Sequence, residues 1–273
     1  MNYQTFQPHS DLASFIKCYW SLEIPFQKDV QRQLVLPDGC IEMIFILGDD
    51  VKRYVSDEEF IIQPREMILG QITEPFYVEP TGCVKSFAVK FYPYGIANFV
   101  SNPIKDLANK ETPLMHIFGE ESSQQMRKRI IKAADTHERI NIVEELFLNK
   151  LSDATAIDAI VKTTVDSLFL TRGNMSINTL VKHDLSKRRQ IERKFKKQIG
   201  ISPKQLGKVI RLQAALKMLL NQTSESLTEV AYESDYYDQA HFIKDFKEFT
   251  GTTPKDFLSD NQMLLSSLFY KES

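Results

Sequence analysis

Residues 195–204 read Phe-Lys-Lys-Gln-Ile-Gly-Ile-Ser-Pro-Lys, and residues 246–255 read Phe-Lys-Glu-Phe-Thr-Gly-Thr-Thr-Pro-Lys. The shared string, F-K-x-x-x-G-x-[ST]-P-K, returns at an offset of 51 residues. Self-similarity of this kind marks a duplicated supersecondary unit. Its local physics is legible. Gly200 and Gly251 close a helix where positive φ is favoured. Ser202 and Thr253 are N-caps of the next helix, with Pro203 and Pro254 at its first position. Ser202 with Gln205 forms a capping box. Each copy therefore encodes a helix, a glycine stop, a tight turn and a capped restart.

A second helix pair precedes each copy. In the first unit, Ser176 to Lys182 leads through a turn near Asp184-Leu185 into Ser186 to Gln198. In the second, Ser226 and Glu229 make an S-x-x-E box, the helix runs to about Ser234, and a turn at Asp235-Tyr236 restarts at the N-cap Asp238. Helix, short turn, helix is the helix-turn-helix pattern. The units span about 176–198 and 227–249, joined by a long helix over about 203–220. In the second helix of each unit, Ile191, Phe195 and Ile199, and Phe242, Phe246 and Phe249, face inward. Arg189, Arg193, Lys196 and Lys197, and Ala240, His241, Lys244 and Lys247, fall on outward faces that suit a major groove.

Charge supports that reading. The chain of 273 residues has a net charge of −2, yet residues 172–220 carry 13 Lys/Arg against 2 Asp/Glu. A local excess of this size is an electrostatic footprint for a polyanion. The bland alternative is a solvated basic face on a helical bundle.

Residues 1–118 read as short strands with regular turns: Gln33 to Leu36, Cys40 to Leu47, Glu59 to Ile62, Glu66 to Leu69, Phe76 to Val78 and Lys85 to Phe91. A β-barrel or cupin-like sensor domain is expected, giving an α+β chain overall. Its aromatic residues either fill the core or line a ligand cavity. Phe45, Phe60, Phe87, Phe91 and Tyr92 are the candidate effector-binding set. Residues 119–152 predict two amphipathic helices that pack on the barrel or form a dimer seam, and residues 153–273 form the nucleic-acid-binding domain.

Several function classes are excluded. No apolar run approaches the ~18 residues of a membrane helix, and no signal peptide is expected at Met1 to Phe6, which lack a basic and an apolar region. Cys18, Cys40 and Cys83 are odd in number and contain no CxxC, which fits a reducing cytoplasm. None of the five histidines lies between residues 10 and 115, so no cupin-type metal site is expected, and no cofactor. Neither a G-x-S-x-G elbow nor a Walker loop occurs, and the scattered cysteines do not make an activated thiolate, so no enzyme activity is expected.

Residues 172–258 resemble the DNA-binding domain of AraC/XylS-type transcriptional regulators. The carrying string is Asp238-Gln-Ala-His-Phe-Ile-Lys-Asp-Phe-Lys-Glu-Phe-Thr-Gly-Thr-Thr-Pro254, with Ile191-Glu-Arg-Lys-Phe195, Gly200-Ile-Ser-Pro203 and Arg211-Leu-Gln-Ala214. Leu36-Pro-Asp-Gly-Cys-Ile-Glu-Met-Ile-Phe45 and Tyr92-Pro-Tyr-Gly95 look like one uncharacterised sensor of that family. The resemblance implies a double-stranded DNA partner, a small organic effector, RNA polymerase at the promoter and a homodimer. It implies base reading by Arg189, Glu192 and Arg193, and by Gln239, His241 and Lys244. Phosphate contacts are implied for Lys187, Arg188, Lys197, Ser202, Lys247 and Thr253. The chain departs from the family at Val181, and at Leu185 and Asp235 where the family has turn glycines. Asp235, Asp238, Asp245 and Glu248 are expected near the groove, so the first unit should supply most of the affinity. The alternative function is a sensor-less nucleoid-type or RNA-binding protein.

Overall fold

The computed structural model describes residues 1–28, 31–151, 158–176, 185–221 and 226–259. The N-terminal part contains β1 (Asn2–Phe6), β2 (Ile16–Ile24), β3 (Gln33–Val35), β4 (Ile41–Ile46), β5 (Val51–Tyr54), β6 (Phe60–Ile62), β7 (Glu66–Leu69), β8 (Phe76–Pro80), β9 (Val84–Phe91) and β10 (Glu111–Pro113). They form two antiparallel sheets, ordered β1-β2-β9-β4-β7-β10 and β3-β8-β5-β6. The expected barrel is thus corrected to an open sandwich, because no ladder among the described residues joins the two sheets. Closure would pair β1 or β10 with β3 or β6. The strands β3, β6 and β10 are three residues each, and β10 ends in Pro113, which lacks an N–H to donate.

Strand alternation divides the six-stranded sheet into two faces. On one, Tyr19, Met43, Phe45, Phe87 and Phe91 are almost fully buried. This face packs against α2 (Glu120–Lys132) and α3 (Thr136–Leu151), which follow the one-turn α1 (Met115–Phe118) and contribute Met126, Ile130, Val143 and Phe147. The amphipathic pair therefore takes the first of its two expected roles, with its apolar stripe covered by the sheet. The other face carries Trp20, Leu22, Ile44, Ile46 and Ala88 toward the four-stranded sheet.

The C-terminal part is helical: α4 (Ala159–Leu170), α5 (Leu185–Ile199), α6 (Pro203–Asn221), α7 (Leu227–Glu233), α8 (Gln239–Thr250) and α9 (Pro254–Ser259). The expected helix over 176–182, Val181 and the turn near Asp184 lie outside the described residues. The duplicated string folds as its chemistry dictates. Phe195 and Phe246 are wholly buried, Gly200 and Gly251 take φ of 95° and 77°, and Pro203 and Pro254 open α6 and α9.

The two parts share cores. Leu34 and Leu36 of the sandwich are buried with Val209, Leu212 and Leu216 of α6 and Phe242 and Phe246 of α8. Tyr94 is buried with Val161 and Leu168 of α4 and Phe195 and Ile199 of α5. Each helical half-core thus includes a side chain of the sandwich. At the α4–α6 contact, Gly173 (φ 83°) faces Gly207 so closely that a methyl on it would overlap the Gly207 carbonyl.

Candidate nucleic-acid interface and sensor cavity

Two helices, α5 and α8, carry the duplicated string and share cores with α6: Phe195 and Ile199 with Leu206 and Ile210, and Phe242 and Phe246 with Val209, Leu212 and Leu216. Each buries an apolar stripe, Ile191, Phe195 and Ile199 in one, Phe242, Phe246 and Phe249 in the other. The opposite faces are wet. On α5, Lys187, Arg188, Arg189, Arg193, Lys196 and Lys197 are exposed. On α8, the exposed set is Ala240, His241, Lys244, Lys247 and Glu248.

Some candidate reading residues are tied locally. Arg188 pairs with Glu192 one turn away at 3.0 Å. Gln239 is half-buried, and its carbonyl accepts a hydrogen bond from Thr228 at 3.0 Å. Ser202 and Thr253 both work as caps: the Gln205 N–H donates to the Ser202 hydroxyl, the Ser202 N–H donates to Gln205, and the Thr253 hydroxyl donates to Asp256 at 2.6 Å.

The expected acidic rim of the second unit needs correction. Asp245 is buried and pairs with Lys208 of α6 at 3.2 Å, and Glu248 meets the same ammonium at 3.0 Å. Asp238 caps α8 by accepting the His241 N–H at 2.7 Å. Three of the four carboxylates thus have structural partners within the domain. Asp235 takes φ of 60°, a left-handed turn position. Aspartate tolerates that conformation by local hydrogen bonding.

Between the two sheets lies a cavity of about 160 Å³. Trp20, Ile44, Met67 and Val84 line it from one side, and Val35, Val51, Phe76 and Val78 from the other. Glu42 and Ser86 are its polar lining residues within the strands, with Gln33 at the start of β3 and Gln27, Gln31 and Gln63 in loops. None of the five aromatic candidates lines it, which corrects that assignment. Phe45, Phe87 and Phe91 sit on the opposite phase of β4 and β9, packed on the helices; Phe60 is exposed on the edge strand β6; Tyr92 packs beside Tyr94 against the helical part. Counting aromatics was the wrong signal, because the strand phase decides which sheet face a side chain joins.

A buried charge cluster, unanticipated from the sequence, adjoins the cavity. Lys90 of β9 lies 2.5 Å from Asp38 and 3.2 Å from Glu42, its cross-strand partner on β4. Burial raises the Glu42 carboxyl against the pull of Lys90. Burial also opposes ionisation of Asp38, but there the Lys90 ammonium and the Cys40 N–H outweigh it and the pKa falls. The sequence signal was available: Glu42 and Lys90 are charges placed in phase with Ile44, Ile46 and Ala88 on otherwise apolar strands. Among the cysteines, burial pushes the Cys40 thiol up to about 12 and also raises Cys18, the reverse of an activated thiolate.

Comparison with known proteins agrees with this geometry. Residues 186–260 match a helix-turn-helix domain family, and residues 4–113 match a domain of unknown function, DUF6597. The C-terminal part of the chain, residues 186–260, is a helix-turn-helix domain. The chain is 28% identical over 154 residues to the HTH-type transcriptional regulator GbdR of Pseudomonas aeruginosa, covering 52% of the chain and 39% of GbdR. Over 70 residues it is 37% identical to the HTH-type transcriptional regulator MtrA of Neisseria gonorrhoeae, covering 26% of the chain and 23% of MtrA. The chain thus spans about two fifths of the length of GbdR. Among solved structures, ToxT from Vibrio cholerae O395 bound to (E)-4-(8-methylnaphthalen-1-yl)but-3-enoic acid aligns with a TM-score of 0.48 at 12% identity, over 95% of this chain and 99% of ToxT. No helix among the described residues is long and apolar enough to cross a membrane.

Proposed function

We propose that this chain is a sequence-specific DNA-binding transcriptional regulator whose N-terminal sandwich holds a small effector. The observation that carries the proposal is the pair of repeat-bearing helices, α5 and α8, each sharing its apolar residues with the core around α6 and leaving Lys/Arg side chains exposed. Arg189, Glu192 and Arg193, and Gln239, His241 and Lys244, are the proposed base readers, with Lys187, Arg188, Lys197, Lys247 and the helix starts at Ser202 and Thr253 on phosphates. A helix start offers unpaired N–H groups, so the capping role of the two hydroxyls is compatible with a phosphate contact. The first unit leads in affinity, because α5 exposes six Lys/Arg side chains and α8 only Lys244 and Lys247.

The test is anisotropy of the full chain on labelled DNA from its own promoter, against scrambled DNA, between about 50 and 200 mM salt. Preferential binding to the promoter that weakens steeply with salt supports the regulator. Equal binding to both DNAs favours the nucleoid-type alternative and overturns the proposal. An RNA-binding reading fares poorly, because Phe195, Phe242 and Phe246 are buried and none can stack on a base. Effector control has a physical route. Gln33 and Val35 line the cavity while their neighbours Leu34 and Leu36 are buried against α6 and α8, so β3 is a wall common to both. RNA polymerase and a second copy of the chain are the further proposed partners.

A further inference from the structure

We propose that the sandwich cavity selects a compact apolar amine, with the Glu42 carboxylate receiving its ammonium group. The proposal rests on the effector-binding reading of the sandwich and names the chemistry of its ligand.

The cavity sets the size. About 160 Å³ is close to the space that holds one benzene ring in an engineered apolar cavity. Its walls are aliphatic and aromatic, with Trp20, Ile44, Met67, Phe76 and Val78 among them, so the body of the ligand is apolar.

Charge sets the head group. Among the described residues, Glu42 is the one ionisable side chain that lines the cavity, and it is 14% exposed. It shares a single ammonium, Lys90, with Asp38, and Lys90 lies closer to Asp38. Lys17 adds its positive charge on the Asp38 side. Two carboxylates share one buried ammonium, so ionising Glu42 leaves an excess of one negative charge, a state that burial disfavours. A ligand cation placed in the cavity removes the excess; a ligand carboxylate would double it. Glu42 also has acceptor capacity to spare. A carboxylate offers about four lone-pair sites; Lys90 takes one on Oε1, and the Trp20 indole interacts with a second.

The same cluster gives the bound state a mechanical consequence. Asp38 belongs to the turn Pro37-Asp38-Gly39, whose Pro37 carbonyl accepts a hydrogen bond from Gln213 of α6 at 2.5 Å. Gly39 lies directly under Leu206 and Val209 of that helix. An ammonium at Glu42 frees Lys90 to pair with Asp38 alone and tightens this turn against the helix that joins the two reading units.

Trp20 is the single tryptophan of the chain and lines the cavity, so its emission reports occupancy directly. The experiment titrates full-length protein with benzylamine, benzyl alcohol and benzoate, following Trp20 fluorescence. Benzylamine is expected to give a saturable change, at least ten-fold tighter than benzyl alcohol, with no saturation by benzoate. Glu42→Gln, nearly isosteric and with Lys90 still paired to Asp38, should weaken benzylamine at least ten-fold and leave benzyl alcohol unchanged. Ser86→Leu fills the cavity without touching the charges and should abolish every response; melting curves check that both variants fold. Equal binding of all three probes, or an unaltered benzylamine affinity in Glu42→Gln, overturns the amine selection. No saturable response to any probe overturns the cavity as a site for ligands of this class. Promoter binding measured on the same samples separates these outcomes from failure of the regulator reading, which concerns the helical faces alone.

Discussion

At the scale of single residues, the strictest demands are steric. Gly173 sits at positive φ with its Cα against the Gly207 backbone, so Gly173→Ala meets both conformational strain and a clash. Denaturant unfolding should show a loss of about 2 kcal/mol or more; an unchanged midpoint would mean that α4 slides freely along α6. Asp235 offers the contrasting case. Its left-handed turn is open to glycine, so Asp235→Gly should hold or slightly raise the melting temperature, while Asp235→Val should lower it. On the cationic face, Arg193→Ala is expected to cost about 1–3 kcal/mol of specific DNA binding, and Lys244→Ala noticeably less. Equal losses in the two would refute the ranking of the reading units. Asp158 adds a pH dependence. Lys194, 2.6 Å away, and the N–H groups of Ile160 and Val161 hold its carboxyl below the usual carboxylate range against the opposing effect of burial. A depressed pKa contributes stability above the unfolded value near 4, lost as pH falls through the folded value. Asp158→Asn should therefore flatten the acid limb of the stability curve.

At the scale of elements, the helical part was largely legible in the sequence, and the sandwich was so only in pieces. Caps and stops act within a few residues, which is why Ser226, Asp238, Gly251 and Pro203 mark their helix boundaries so well. The expected linking helix over 203–220 is observed as Pro203–Asn221. Strands depend on distant partners. Glu66–Leu69 was legible as it stands, but β1, β2, β5 and β10 were not. β2 carries Lys17 and Cys18 across a register shift, which breaks the alternation that would have exposed it. Pairing between Lys208 and Asp245 joins residues on α6 and α8, and no local pattern announces it. Removing the ammonium leaves a buried carboxylate without its cation, so Lys208→Met should destabilise the second unit. Hydrogen exchange across residues 239–250 would read the change, and unaltered protection would show that α8 is held by its phenylalanines alone.

At the scale of the whole molecule, the sandwich and the helices are tied by side chains that each core requires. Leu34 and Leu36 complete the core around Phe242 and Phe246; Tyr94 completes the one around Phe195; Ile104 packs beside Gly200 at the end of α5. The protein should therefore unfold in a single calorimetric transition, and Leu36→Ala should broaden or split it. Two well-separated transitions in the unaltered chain would show that the shared cores are energetically minor. The two strings that resembled one sensor type, Leu36 to Phe45 and Tyr92 to Gly95, contain Leu36 and Tyr94 of these contacts, so part of that sequence signature encodes attachment. This sets a limit on transplantation. A sensor exchanged onto another reading head by cutting at the linker would arrive with Leu34, Leu36 and Tyr94 exposed, and the recipient helices would lose the side chains that fill them. A workable chimera must carry the surface of residues 203–221 along with the sandwich, so the inheritable unit of this architecture is the joint, larger than either domain drawn on the sequence.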